Sequence, residues 1–293
     1  GLVLDDGTTA RLADERFVMS TTTANAGRVM QQLEYCAQVL WPELDVQMVS
    51  VTEQWSQYSI AGPRSRELLQ RLFGRGVDLG NEAVPYMGVV ELPLCGVPAR
   101  LFRLSFSGEL AYELAVPANY GDAALRALME AGRPLDVTPY GSEALGVMRI
   151  EKGHVGGNEL SGQTTAGDLG LGRMMSAKKD YIGRVLAARP GLTDPERPAL
   201  VGFQPVDPTA RLRSGAHFLP LSAPAKAEHD QGYMTSVAYS PTCGSWIGLG
   251  LLQRGPQRIG ERVRAYDALR GEDTEVEICH PVFVDPEGER LRG

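Results

Sequence analysis

Ser107-Gly-Glu-Leu-Ala-Tyr-Glu-Leu-Ala-Val-Pro117 decides how this chain is read. Alternation at period two puts Tyr112, Leu114 and Val116 on one face and Ala111, Glu113 and Ala115 on the other, which predicts a strand with one apolar face. A carboxylate between two alanines admits two readings. It can simply face solvent. It can also accept two parallel N–H bonds from a planar, amidine-like edge, with the alanines leaving room for a flat ring. Downstream, Tyr140-Gly-Ser-Glu-Ala-Leu-Gly-Val-Met-Arg-Ile-Glu-Lys-Gly153 predicts a helix over 141–151, ended by Gly153 with Lys152 near its negative end.

Working towards the N-terminus, strands are expected at 2–4, 8–12 and 16–21, with Asp5-Asp6-Gly7 as a hairpin turn and Thr23 as N-cap of a helix over 24–40. Strands near 46–52 and 58–60 precede a helix beginning at Pro63. Strands at 89–94, 99–106 and 112–116 and a helix over 120–131 follow. Segment 154–178 is Gly-rich and aperiodic, a packed loop, and 181–188 reads as a short helix. The Pro-rich stretch 189–198 reads as a linker. Beyond it, strands at 199–203, 233–240, 247–252, 262–266 and 275–278 suit a small barrel or sandwich. Strands and helices come in runs rather than in strict alternation, so the class is α+β and not a doubly wound sheet. The expected domains are 1–190 and 197–293.

At 293 residues the length suits about two domains. The net charge of −7, without Lys/Arg clusters, argues against nucleic acid as a main partner. No apolar run approaches the roughly 20 residues of a membrane span, and no secretory signal is present. Chain start Gly1-Leu-Val-Leu4 already reads as strand, so the sequence is expected to begin inside a larger protein. Cys36, Cys95, Cys243 and Cys279 lie far apart, as do His154, His217, His229 and His280. That spacing suits isolated thiols in a reducing cytoplasm and argues against a disulfide framework or a metal site. Gly156-Gly157 and Asp168-Leu-Gly-Leu-Gly172 lack the spacing of a dinucleotide or phosphate loop.

These segments resemble the folate-binding module of the glycine cleavage T-protein family. The strand ending at Glu113 looks like the family's Gly-Glu-x-Gly-x-Glu strand, whose last glutamate grips the pterin, and this implies the same role for Glu113. Gly1-Leu-Val-Leu-Asp-Asp-Gly7 resembles the family's Gly-Gly-Ile-x-Asp-Asp-Leu, with Gly7 where the family has leucine. The match implies that Asp6 is the catalytic acid, a group that can hold a protonated nitrogen or take its proton. On spacing alone, the same residues read as a turn. Ser20-Thr21-Thr22-Thr23 reads as a strand end and helix cap. The resemblance adds Thr21 and Thr23 as folate contacts, with Thr8 and Tyr112 beside them. Arg149 and Glu151 suit a structural ion-pair site. Leu145 stands where the T-proteins place an arginine for the folate glutamate tail.

Trp41-Pro-Glu-Leu-Asp-Val-Gln-Met-Val-Ser50 and Gly232-Tyr-Met-Thr-Ser-Val-Ala-Tyr-Ser-Pro241 narrow the likeness to one branch of that family, the alpha subunits of heterotetrameric sarcosine oxidases. That branch implies tetrahydrofolate as the ligand of this segment, and FAD, FMN and NAD only elsewhere in a complex with beta, gamma and delta subunits. It implies conversion of a sarcosine-derived imine or formaldehyde unit to 5,10-methylenetetrahydrofolate. Two alternatives stand beside it: a free-standing aminomethyltransferase, and a folate-binding or assembly module without catalysis.

Overall fold

The computed structural model describes residues 1–293, which divide into two compact units. The first, the sheet unit, comprises Asp5–Pro139 and Gly288–Gly293; the second, the barrel unit, comprises Gly1–Leu4 and Tyr140–Glu287.

The sheet unit opens with an antiparallel hairpin, β1 (Thr9–Ala13) and β2 (Arg16–Met19), then α1 (Ala26–Tyr35). Next come β3 (Trp55–Ala61), α2 (Ser65–Phe73), β4 (Val89–Leu94), β5 (Val97–Phe102), β6 (Ala111–Pro117) and α3 (Gly121–Gly132). The last four strands form an antiparallel sheet in the order β3-β6-β5-β4. Ile60, Leu101, Tyr112, Leu114 and Val116 share one face of it and pack with Leu68 and Leu69 of α2 and Leu128 of α3. The alternation read from the sequence thus becomes a core face and an opposite face that carries Glu113 between Ala111 and Ala115.

In the barrel unit, α4 (Ser142–Glu151) and the short α5 (Arg184–Ala187) precede six strands. These are β7 (Pro198–Pro205), β8 (His217–Leu219), β9 (Gly232–Ser240), β10 (Ser245–Gln253), β11 (Arg262–Asp267) and β12 (Glu272–Cys279), and they close in the order β10-β7-β12-β11-β8-β9. The last helix, α6 (Glu289–Arg292), belongs to the sheet unit, where Arg290 pairs with Glu109 at 2.9 Å. Inside the barrel Phe203 and Phe218 stack with ring centroids 4.1 Å apart. Gly250 is needed beside them, since a Cβ there would lie 2.8 Å from both rings. Outside, α4 lays Ile150 on Ala238, Ile247 and Leu249 of β9 and β10.

Several local expectations are corrected. Residues 2–4 and 46–52 are not strands. The hairpin turns at Asp14-Glu15, not at Asp5-Asp6-Gly7. β2 ends at Met19, and one more bond in the same antiparallel register, from the Ser20 N–H to the Thr8 carbonyl at 2.9 Å, closes the ladder. The helix expected over 24–40 splits into a tight turn at Thr23–Asn25, α1, and a widened turn at Cys36–Leu40. Thr23 does not cap it: Thr23 lies inside the first turn, and no side chain closes the helix start. β8 escaped the sequence reading because three residues carry no period.

Arg149 and Glu151 do not pair with each other. Arg149 reaches Glu159 of the Gly-rich loop at 3.0 Å, and Ser240 donates to Glu151 at 2.5 Å. Glu159 is fully buried and also accepts from Thr235 Oγ1 at 2.5 Å, Ser236 Oγ at 2.6 Å and the Gly156 N–H at 2.7 Å. Neighbours 235 and 236 can both face it because the β9–β10 register shifts between Leu249 and Gly250, leaving Thr235 without a partner across the ladder. Arg197, at the end of the expected linker, pairs with Asp168 at 2.7 Å and so ties the loop to the start of β7. A buried charge that loses its partner is costly. Glu159→Ala is therefore expected to destabilise the protein by about 3–5 kcal/mol, read as a lower urea midpoint.

Candidate functional site

Register fixes what lies on the sheet's second face. Glu113 is paired with Ser59 on β3 and with Phe102 on β5; Ala115 is paired with Gln57 and Arg100. Ala111, Ala115 and Phe102 are nearly inaccessible, and the half-buried Glu113 stands among them with Ser59, Gln57 and Arg100 on the same face. Burial pushes its pKa up, opposed in part by the hydrogen bond that Gln57 Nε2 donates to Oε2. Oε1 accepts no hydrogen bond from the protein. An acceptor that is partly desolvated and only partly satisfied is what a ligand rich in N–H groups can use. Further along the same face the Arg100 guanidinium lies 4.0 Å over the Trp55 ring and pairs with Glu91 at 3.2 Å. Glu91 also binds Arg16, which fastens the β1–β2 hairpin to the β4 edge of the sheet.

Asp5 and Asp6 divide their work. Burial alone would raise the Asp5 pKa, but hydrogen bonds from Asn25 and Thr22 outweigh it and hold the carboxyl below its ordinary value. Asn25 Nδ2 donates to Oδ1 and the Thr22 N–H to Oδ2, each at 2.9 Å. Asp5 is therefore a clamp joining segments 5–8 and 20–25. Asp6 receives only a long contact from Thr22 Oγ1 at 3.4 Å among its side-chain bonds to this turn. Thr8 belongs to the same crossing, its Oγ1 lying 2.9 Å from Ser20 Oγ. Thr21 turns its hydroxyl to the Thr22 carbonyl at 3.2 Å, and Thr23 is exposed. Gly7 makes the crossing passable: a Cβ there would lie 2.1 Å from the Ser20 carbonyl oxygen.

The structure thus brings Asp6, Thr8, Thr21 and Thr23 together at one crossing and sets Glu113 on the sheet of the same unit. Tyr112 goes elsewhere. It is fully buried on the core face, where its hydroxyl accepts from Arg66 Nε at 2.9 Å, so it does not share a face with Glu113. Its place follows from the alternation that put Glu113 on the opposite side. Sequence reasoning missed Gln57, whose closeness to Glu113 depends on the β3–β6 register, and Asn25, whose partner is 20 positions away. A cavity of about 800 Å³ lies beside α2 and α6 between Arg66, Glu67, Glu109 and Arg290 and includes none of the candidates. Its position on the core side of the sheet separates it from the Glu113 face.

Comparison with known proteins agrees with this architecture. Residues 1–179 match the GCVT N-terminal domain and residues 199–285 the glycine cleavage T-protein C-terminal barrel domain. The chain belongs to the glycine cleavage T-protein family. Within it, the chain is 51% identical over 99% of its length to sarcosine oxidase subunit alpha of Rhizobium meliloti (strain 1021), and 38% identical to that of Corynebacterium sp. (strain U-96) over its whole length. It spans 30% of the length of each of these relatives. An aminomethyltransferase of Chloroherpeton thalassium is 27% identical over 97% of the chain and 74% of that protein. The crystal structure of aminomethyltransferase T from Bartonella henselae shares the fold, with a TM-score of 0.80 at 22% identity, over 97% of this chain and 73% of that one.

Two outcomes follow from the geometry. Because burial makes the folded Glu113 bind its proton more tightly than the unfolded chain does, protonation favours folding, and stability declines as pH rises through that window. Glu113→Gln is expected to be more stable than the parent at pH 7, the gap closing below about pH 4 in urea titrations, near the unfolded glutamate pKa. Gly7→Ala must push segment 20–22 away, costing about 1–3 kcal/mol and speeding amide exchange at Thr22.

Proposed function

We propose that the sheet unit holds tetrahydrofolate and directs a one-carbon unit onto its nitrogens, as part of a sarcosine oxidase alpha-type protein. The observation that carries this reading is the Glu113 carboxylate between Ala111 and Ala115 on the sheet's second face, where Gln57 donates to Oε2 and no protein hydrogen bond goes to Oε1. A pterin presents a ring N–H and an amino group side by side, the pattern a carboxylate accepts in parallel. Bound folate supplies the nucleophilic nitrogens. Glu113 fixes the orientation of the ring, and Asp6 takes the proton released as a folate nitrogen bonds to carbon. Holding that nitrogen where the electrophile arrives makes a bimolecular encounter local. Thr8, Thr21 and Thr23 line the Asp6 side of the ligand.

In this reading the carbon comes from the imine formed when sarcosine is oxidised, and the product is 5,10-methylenetetrahydrofolate. Oxidation belongs to FAD, FMN and NAD sites outside this segment and to beta, gamma and delta partner subunits. The folate-binding domain covers 1–190 and the barrel domain 197–293, and the protein works in the cytoplasm. No helix is long and apolar enough to cross a membrane.

Titration of the intact protein with tetrahydrofolate tests the holding role. Binding in the micromolar range is expected, and Glu113→Ala should weaken it by about 2–5 kcal/mol, the usual cost of truncating one partner of a charged hydrogen-bonded contact. Asp6→Ala should keep binding but lower methylenetetrahydrofolate formation about 10²–10⁴-fold, while formaldehyde is still released. Full transfer by that variant would remove Asp6 from the chemistry. Absence of binding in the parent would leave an assembly module.

A further inference from the structure

Gln57 lies next to the proposed ligand contact and has a role of its own. On β3 it is paired with Ala115, two residues along from the Ser59–Glu113 pair and on the same face, and its side chain reaches back to donate to Glu113 Oε2. The orientation of its amide is dictated by chemistry: an ionised carboxylate only accepts, so the nitrogen end must face it. An amide nitrogen carries two N–H groups. One serves Glu113; the second makes no hydrogen bond within the protein. Among the residues around Glu113, Ala111, Ala115 and Phe102 offer no side-chain hydrogen bond, and of the polar neighbours Gln57 is seen to reach the carboxylate with its amide. The face therefore offers a carboxylate acceptor with an N–H donor fixed beside it.

Resting on the folate reading above, we infer that Gln57 selects a 4-oxo pteridine. Glu113 takes the ring N3–H and the 2-amino group, and the second N–H of Gln57 donates to the neighbouring O4. A ring with an amino group at that carbon turns N–H towards N–H and leaves the Gln57 donor unsatisfied. Gln57 also locks the Glu113 rotamer, and a 4-amino ring lacks the N3–H that Glu113 accepts, so the share of the discrimination due to Gln57 is the coupling between that residue and the ring substituent.

Binding of tetrahydrofolate and of its 4-amino analogue, tetrahydroaminopterin, to the intact protein measures this as a cycle between residue and ring substituent. In both Gln57→Ala and the length-conserving Gln57→Met, tetrahydrofolate should bind about tenfold more weakly, while the 4-amino analogue changes by less than about twofold. Gln57 is exposed at the sheet surface, and circular dichroism checks that both variants are folded. Equal weakening of the two ligands, or no change in either, overturns the selection role and leaves folate binding intact. Failure of the parent to bind tetrahydrofolate sinks the folate reading itself, a result distinguishable from the others.

Discussion

The sheet unit depends on the placement of strand β6. Tyr112, Leu114 and Val116 are committed to the core against α2 and α3, and the pleat then allows Glu113 only one direction. A slip of one residue would bury the carboxylate in hydrocarbon and expose the tyrosine, so the register is enforced by apolar burial and not by the site. The core thereby fixes the direction of Glu113. The same constraint explains why Glu113 is left partly desolvated: its neighbours across the ladder are small or apolar, and the polar group shown to reach it, Gln57, satisfies one oxygen.

A second constraint operates where the chain crosses itself near its start. Adjacent aspartates look equivalent in sequence, yet Asp5 is consumed by hydrogen bonds to Thr22 and Asn25 and held ionised, whereas Asp6 has a looser tie to the same turn. The close approach of Ser20 to Gly7 is what permits this division, since any Cβ would separate the segments. The two adjacent carboxylates thus differ in their ties to segment 20–25, a difference the sequence alone does not show.

The barrel unit solves a different problem. Its Gly-rich loop has no regular period; it buries Val155 and Leu169 in the cluster of Ile150, Ile247 and Leu249 and is tied down further by ion pairs, Glu159 with Arg149 and Asp168 with Arg197. The bulge at Thr235 turns two consecutive hydroxyls toward Glu159, so the barrel's own irregularity provides the loop's anchor. Such a cluster adds specificity of arrangement more than net stability, since desolvation offsets much of the ionic attraction.

What the sequence by itself determined was whatever local periodicity encodes. The strand at Glu113 with its two faces, helices α2, α3 and α4, the strands of the barrel save β8, and the α+β class follow from apolar spacing and turn residues, which act between near neighbours. The motif likeness pointed to the family, which the matches over 1–179 and 199–285 establish. Tertiary structure alone decided the rest. Gln57 and Glu113 are 56 positions apart, Arg149 and Ser236 87, and Asn25 reaches Asp5 across 20. The turn expected at Asp5-Asp6-Gly7 became a crossing, and Tyr112 became core, because those outcomes depend on which distant backbone arrives alongside. Periodicity records which side of an element is apolar; only packing decides what stands opposite the other side.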